Sequence, residues 1–349
     1  MTNVSLKDYS SFHCGGEAET LIECEANDEI LNSVADANNG EITILGYGTN
    51  VLISDEGLPG TTIITKGGKY SFDDNLLIAD AGVWWDDIVK KSIENRLWGI
   101  ELMSGIPSSI GGAVVGNIAA YGQQIADTLE WVEVFAIDSQ KIIRIPSSDL
   151  EFSYRYCSLS DKSNLVILRA AFKLSTKPLK PLEYGSALRI AEELKLGTES
   201  LGDRRSIILE ARKRAGSLYN PNGDQNHYTA GSFFKNPEVP LELAKKVIKF
   251  DETGKSAEML LKQNKVHGGS DHRVSAAHVL LAAGFKRGQT WGNVRLHPDH
   301  ILKIENTGGA SSKDIYDVVQ TIIKTVEEQL SIKLEPEVKF LGTFLDDTI

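Results

Sequence analysis

Gly231-Ser232-Phe233-Phe234-Lys235-Asn236-Pro237 places a hydroxyl, an ammonium and a carboxamide in one aromatic, strand-like run. Gly231 opens the run, Pro237 closes it, and the polar groups flank a Phe pair that reads as buried. A strand buried on one face would alternate apolar and polar residues, and this one does not. Glycine lets a bound molecule approach the backbone, and Lys with Asn suits a phosphate. The run is a candidate site; the plainer alternative is a strand ending in a turn.

Three further segments bear on that choice. Gly46-Tyr47-Gly48-Thr49-Asn50 invites comparison with a dinucleotide fingerprint, but Val51 stands where G-x-G-x-x-G needs its third glycine. Val51-Leu52-Ile53 then continues as a strand, whereas the fingerprint leads into a helix, so a Rossmann reading fails. Consecutive backbone N–H groups in a glycine turn still suit an anion, and a hairpin turn is the bland reading. Gly105-Ile106-Pro107-Ser108-Ser109-Ile110-Gly111-Gly112 and Asn117 to Gly122, with Ala120 and Tyr121, form a span with few bulky side chains. Its hydroxyls, amide and N–H groups suit phosphates and a flat heterocycle, with tight packing as the alternative. Phe152-Ser153-Tyr154-Arg155-Tyr156 sets an arginine between tyrosines, either as a surface cation–π contact or as a fork of donors aimed at a carboxylate or enolate.

The elements that must position these groups read as α+β. The chain has 349 residues, 41% apolar and 24% charged, which fits two or three domains. The β-branched runs Ile42 to Leu45, Val51 to Ile53 and Thr61 to Ile64 predict strands, with a short helix between Asn27 and Asn38. A second unit, about 75–174, is predicted to hold a helix near Trp84 to Asn95 and half-buried antiparallel strands at Trp131 to Ala136 and Leu165 to Leu168. Residues 186–220 read as a helical connector most of whose many charges face water. Ile315, Val318, Val319, Ile322, Ile323 and Val326 keep a helical register behind a Ser311/Asp314 capping box. Leu334 to Phe340 alternates as a strand in which Pro336 must sit at an edge or where no donor is needed.

Composition narrows the function. Cys14, Cys24 and Cys157 match neither a zinc site nor a redox pair and read as reduced, packed thiols, and no metal site is expected. A net charge of −11 argues against nucleic acid. No run approaches the roughly 20 apolar residues of a membrane span, and the expected location is cytoplasmic.

The order of Leu45 to Ile53, Gly105 to Gly112, Asn117 to Gly122, Tyr154-Arg155, Ala230 to Pro237 and Leu334-Glu335-Pro336-Glu337 closely resembles the UDP-N-acetylenolpyruvoylglucosamine reductase family. The resemblance covers nearly the whole chain. It implies a vanillyl-alcohol-oxidase-type FAD-binding fold in two subdomains, 1–66 and 67–205, plus a C-terminal α+β substrate domain, 206–349. It also implies FAD and NADPH as cofactors, reduction of UDP-N-acetylglucosamine-enolpyruvate, and a chain expected to be monomeric. Arg155 and Glu337 match the positions that stabilise the enolate-like intermediate, and Ser232 matches the proton donor. Lys235 and Asn236 match positions near the substrate diphosphate, and Tyr184 matches a tyrosine folded over the substrate. The glycine-turn and small-residue segments match the cofactor cradle.

The chain departs from the pattern in places. Tyr47 replaces a middle glycine, His13-Cys14 has no evident reason, and Arg212, Lys213 and Arg214 all stand near the usual substrate-side lysine. Gln289 to Gly292 lengthens a turn, and His297 and His300 beyond it read as core or surface. Two rivals stand: a flavin-linked oxidase, which often holds FAD covalently through His or Cys, and a protein that senses a UDP-sugar without turning it over. The first has no use for the run at Gly231, and the second none for Ser232, Arg155 and Glu337 together.

Overall fold

The computed structural model describes residues 1–37, 40–219, 228–251 and 273–344. Two compact units divide the chain: Leu21–Tyr47 with Gly60–Asn220, and Met1–Thr20 with Gly48–Pro59 and Pro221–Ile349.

In the first unit the predicted strands form as Ile42–Leu45 and Leu58–Thr65, which pair in parallel from Ile42↔Thr61 to Leu45↔Ile64. Helix Asn27–Asp36 buries Ile30 and Val34 beside them; Asn38 lies outside the described residues. An antiparallel sheet follows in the order Lys141–Pro146, Leu129–Ala136, Leu165–Lys173, Leu76–Asp80, Tyr70–Asp73. The expectation of half-buried strands is wrong for Leu129–Ala136, which is buried from Val132 to Ala136. Its two faces feed different apolar clusters: Val132 and Val134 join Trp85, Ile110 and Phe172, while Phe135 joins Ile63, Val166 and Leu168. A strand covered on both sides has no reason to alternate.

The segment read as a helical connector is helical and most of its charges are exposed, with Arg204 the buried exception. It forms helices Gly185–Leu194 and Leu201–Arg214, and on the second Arg204 shares the buried face with Ile207, Ile208 and Ala211. Arg204, only 1% exposed, donates to Glu101 Oε1 at 2.8 Å, to the Lys180 carbonyl at 2.9 Å and to the Thr198 carbonyl at 2.5 Å. Its guanidinium also lies 4.9 Å from the centre of the Trp98 ring. Glu101, itself fully buried, accepts a second bond from Gly99 N at 2.8 Å. Burial of the two charges is tolerable because they pair with each other and both Glu101 oxygens and the Arg204 Nε and Nη1 groups have partners.

In the second unit the capping box is formed, with Asp314 N donating to Ser311 Oγ at 3.0 Å and Ser311 N to Asp314 Oδ2 at 2.9 Å. Helix Ser312–Leu330 buries Ile315, Val318, Val319, Ile322 and Val326 in a core with Phe233, Val294, Leu296 and Ile304. Strands Thr290–Trp291, Val294–Leu296 and Ile304–Asn306 form an antiparallel sheet, and Lys339–Leu341 pairs in parallel with Val51–Ile53. Residues 252–272 lie outside the described residues. Ser232 and Phe234 make single antiparallel bridges to Lys303 and Pro336. Lys235 N to Glu335 O (2.9 Å) and Glu337 N to Phe233 O (2.7 Å) bracket the Phe234–Pro336 pair, so Pro336 occupies a position from which the ladder asks no donor. Among the described residues no helix is long and apolar enough to cross a membrane.

Removing one member of the buried ion pair strands the other. Arg204→Met is expected to lower unfolding free energy by about 3–5 kcal/mol, whereas Arg204→Met combined with Glu101→Met loses much less than the sum of the single changes. Urea midpoints of the four proteins decide it, and additive losses would show that the pair is not coupled.

Candidate functional site

The glycine turn is built by close approach. Gly48 has φ +64°, and a Cβ there would stand 1.8 Å from the Tyr9 carbonyl oxygen, so only glycine fits. Gly46 lies against Ser109: an added Cβ would meet Ser109 Oγ at 2.6 Å. Tyr47, the departure from a middle glycine, packs its ring edge-on to Trp84 at 4.5 Å and donates its hydroxyl to the Gly82 carbonyl at 3.3 Å. Burial raises its pKa. Thr49 is half-buried, and exposed Asn50 donates from Nδ2 to the Glu337 carbonyl at 3.3 Å.

In the small-residue span, Ser109 caps helix Ile110–Val115, accepting from Gly112 N at 3.1 Å, and Ser108 Oγ donates to the Ser109 carbonyl at 2.9 Å. Gly105 is fixed at both ends of its peptide: its N donates to Asp86 Oδ1 at 2.6 Å and its carbonyl accepts from Arg212 Nε at 2.9 Å. Asn117 points inward. Its Nδ2 donates to the Ser153 carbonyl at 3.0 Å, and its Oδ1 accepts from Ala126 N at 3.1 Å, so the side chain serves the protein's own framework. Ile106, Pro107, Gly111 and Ala120 are half-buried, and Gly112 is exposed. At Gly122, φ +93°, an added Cβ would meet nothing within 4 Å.

Arg155 occupies the second position of a two-residue turn between Phe152–Ser153 and Tyr156–Cys157, with φ +57°. Non-glycine residues in this region are strained and gather at functional sites. Asn117 (φ 38°) and Tyr121 (φ 49°) share the conformation. Arg155 Nη1 donates to the Ala119 carbonyl at 3.0 Å, and its guanidinium lies 5.9 Å from the centre of the Tyr154 ring. Tyr184 meets Tyr121 edge-on at 5.3 Å, and burial, then the neighbouring Tyr121 and Tyr154, push its hydroxyl pKa up. Arg212 belongs to the same neighbourhood: burial lowers its pKa, opposed by Tyr121 and Asp86 and assisted by Arg155. Of the three basic residues left open by the sequence, Arg212 is thus the one turned inward, while Arg214 pairs with Glu193 and Glu210 at the surface. Asp86 takes a two-pronged bond from Arg205 at 2.7 Å on each oxygen, which outweighs the cost of its burial and lowers its pKa. The sequence signal for these inward arginines was helical spacing, not charge.

In the other unit, Ser232 is half-buried between Gly231 (φ +85°) and fully buried Phe233. Lys235 Nζ lies 3.5 Å from the exposed Glu335 carboxylate, and Asn236 Oδ1 accepts from Ala276 N at 2.9 Å, at the start of helix Ala276–Ala282. Glu337 is half-buried. His13, φ +53°, stacks on Tyr228 at 4.6 Å with Nδ1 3.3 Å from Asp8. Cys14 accepts from Ser312 Oγ at 3.2 Å, and burial pushes its thiol up to about 11, a poor nucleophile at neutral pH. That counts against a covalent flavin link through Cys14. Cys14, Cys24 and Cys157 are all buried free thiols, as their spacing predicted. His297 is buried, 3.6 Å from Glu305.

An FAD-binding domain model matches residues 18–145, and the fold and the bare span together define an FAD-binding flavoprotein with an added C-terminal domain. A model of the C-terminal domain of UDP-N-acetylenolpyruvoylglucosamine reductase matches residues 223–341. UDP-N-acetylenolpyruvoylglucosamine reductase 2 of Corynebacterium glutamicum is 30% identical over 356 residues, covering 99% of this chain and 95% of that one. The Thermobifida fusca reductase is 29% identical, covering 98% of each chain. The crystal structure of the Thermus caldophilus reductase superposes with a TM-score of 0.66 at 25% identity, covering 97% of this chain and 98% of that one. The chain belongs to the UDP-N-acetylenolpyruvoylglucosamine reductase family.

The residues fit a flavin. Gly112 is exposed, and at Gly122, whose φ is +93°, open space stands where a Cβ would be, room that a bound cofactor could use. Gly122→Ala is expected to cost about 1–2 kcal/mol of stability from backbone strain, yet to leave the purified protein depleted of FAD. Gly48→Ala instead drives a Cβ into Tyr9 and should lower the melting temperature far more. Flavin absorbance per protein and melting temperature check both, and full FAD occupancy in Gly122→Ala would remove Gly122 from the cradle.

Proposed function

We propose that this chain reduces UDP-N-acetylglucosamine-enolpyruvate to UDP-N-acetylmuramate with NADPH as electron donor, as a cytoplasmic monomer supplying peptidoglycan precursors. FAD-binding subdomains at 1–66 and 67–205 and a substrate domain at 206–349 belong to this reading. The observation that carries it is the Phe233 peptide, whose carbonyl accepts from Glu337 N at 2.7 Å and so holds Ser232 and Glu337 on adjoining segments.

When bound, FAD relays hydride from NADPH to the methylene carbon of the enolpyruvyl group. Gly46, Tyr47, Gly48, Thr49 and Asn50, with Gly105 to Ser109, Gly111, Gly112, Asn117 and Ala120 to Gly122, would hold the cofactor. Several do so through main-chain groups, since the side chains of Tyr47 and Asn117 are engaged within the protein. Arg155 would offer its guanidinium, a fork of donors, to the carboxylate on which negative charge collects. Glu337 serves the same charge as a protonated acid or through a hydrogen-bond network, because a bare carboxylate would repel it. Ser232 gives its hydroxyl proton to the neighbouring carbon, so that one hydride and one proton complete the reduction. Lys235 and Asn236 lie near the diphosphate, and Tyr184 covers the substrate.

Half-reactions separate these roles. In Ser232→Ala, reduction of the flavin by NADPH should proceed normally while reoxidation by substrate slows by roughly 10²–10⁴. Equal loss of both steps, in anaerobic stopped-flow, would refute the proton-donor role. Arg155→Ala should abolish turnover with FAD retained; isolation of apo-protein would make Arg155 structural.

A further inference from the structure

We infer that Lys303 is a positioning residue for Ser232, its ammonium set beside the serine to favour the oxyanion that forms as the hydroxyl proton leaves. The inference rests on Ser232 being the proton donor. A serine hydroxyl is a poor acid in water, so the fold must supply something that makes its conjugate base less costly. Lys235, nearby in sequence, is drawn toward Glu335. The cross-strand neighbour of Ser232 is Lys303. Phe233 N donates to the Leu302 carbonyl at 2.8 Å, the bond that flanks a non-hydrogen-bonded antiparallel pair. Such pairs bring Cα atoms to about 4.5 Å with both side chains on one face.

Lys303 is 1% exposed, and so is Glu305, two residues along the same strand. Lysine is almost never fully buried without a charge to answer it, and its retention in a packed position signals use. The surroundings explain how the charge survives. Glu305 Oε2 accepts from Arg295 Nε at 3.0 Å and Nη2 at 2.8 Å, and His297 Nε2 lies 3.6 Å from Glu305 Oε1. His297 Nδ1 accepts from Asp299 N at 3.0 Å, which leaves its proton on Nε2, toward the carboxylate. Burial first, and the Lys303 cation next, push the His300 imidazole down to about 4, so His300 adds no second positive charge at neutral pH. Arg295 and Glu305 offset one another in this row, and the Lys303 ammonium stands opposite the serine. As the Ser232 O–H bond breaks and the C–H bond forms at the substrate carbon, the alkoxide left behind faces that ammonium. Water reprotonates it after product leaves.

The test uses the FAD-loaded protein, reduced by NADPH without oxygen and then mixed with UDP-N-acetylglucosamine-enolpyruvate. Lys303→Met should reoxidise roughly ten- to a hundredfold more slowly, a part of the usual general-acid contribution. Flavin reduction should stay within about twofold, and the urea midpoint should hold or rise, because an apolar residue of similar length replaces a buried charge. Lys303→Arg, which keeps the cation, should restore reoxidation to within about threefold. Adding Lys303→Met to Ser232→Ala should slow it no further. Normal reoxidation in Lys303→Met with a slow Ser232→Ala would overturn the inference alone. Normal reoxidation in Ser232→Ala would overturn the donor reading beneath it. Equal slowing of both half-reactions in Lys303→Met would make Lys303 structural.

Discussion

The Phe233 peptide is the joint on which the C-terminal unit depends. Its N–H reaches the Leu302 carbonyl at 2.8 Å and its carbonyl receives Glu337 N at 2.7 Å, so one residue is laced to two distant segments. Its ring is fully buried with Phe12, Phe234 and Phe340 around it. Misplacing this peptide would cost two ladder bonds and a close-packed aromatic cluster together, so Ser232 and Glu337 inherit the rigidity of the core. Preorganisation of this kind is what a weak acid such as serine needs.

The other unit solves a comparable problem with charge. Gly105 opens the bare span, and its peptide is clamped by Asp86 on the N–H and Arg212 on the carbonyl. Asp86 is itself gripped by Arg205, and Arg204 anchors the same helix through Glu101. Small residues supply little packing of their own, so the segment takes its position from arginines reaching out of one helix. Asn117 completes the arrangement by tying the far part of the span to the turn that carries Arg155. Polar groups that are inexpensive at a surface become precise braces once buried and matched.

Much of this was legible in the sequence. The β-branched runs and the Ser311/Asp314 box gave strands and helix with little error, because local preference and tertiary packing agree there. The family was legible through the order of its motif segments along the chain. Charge was misread. Arg204 falls on the 204, 207, 208, 211 stripe with Ile207, Ile208 and Ala211, but a residue counted as solvated by type hides such a register. In Leu302-Lys303-Ile304-Glu305-Asn306 polar and apolar residues alternate, yet all five are buried. For Asn117, no local pattern reveals that its side-chain amide is used by Ser153 and Ala126.

The central claim is that these two arrangements serve one flavin-mediated reduction. The most direct measurement is the visible absorption spectrum of the purified protein, followed before and after anaerobic NADPH and then on addition of UDP-N-acetylglucosamine-enolpyruvate. A yellow protein that bleaches with NADPH and recolours with that substrate is the predicted result. A colourless protein that cannot be reconstituted with FAD, or one that bleaches and stays bleached with the substrate, would contradict it.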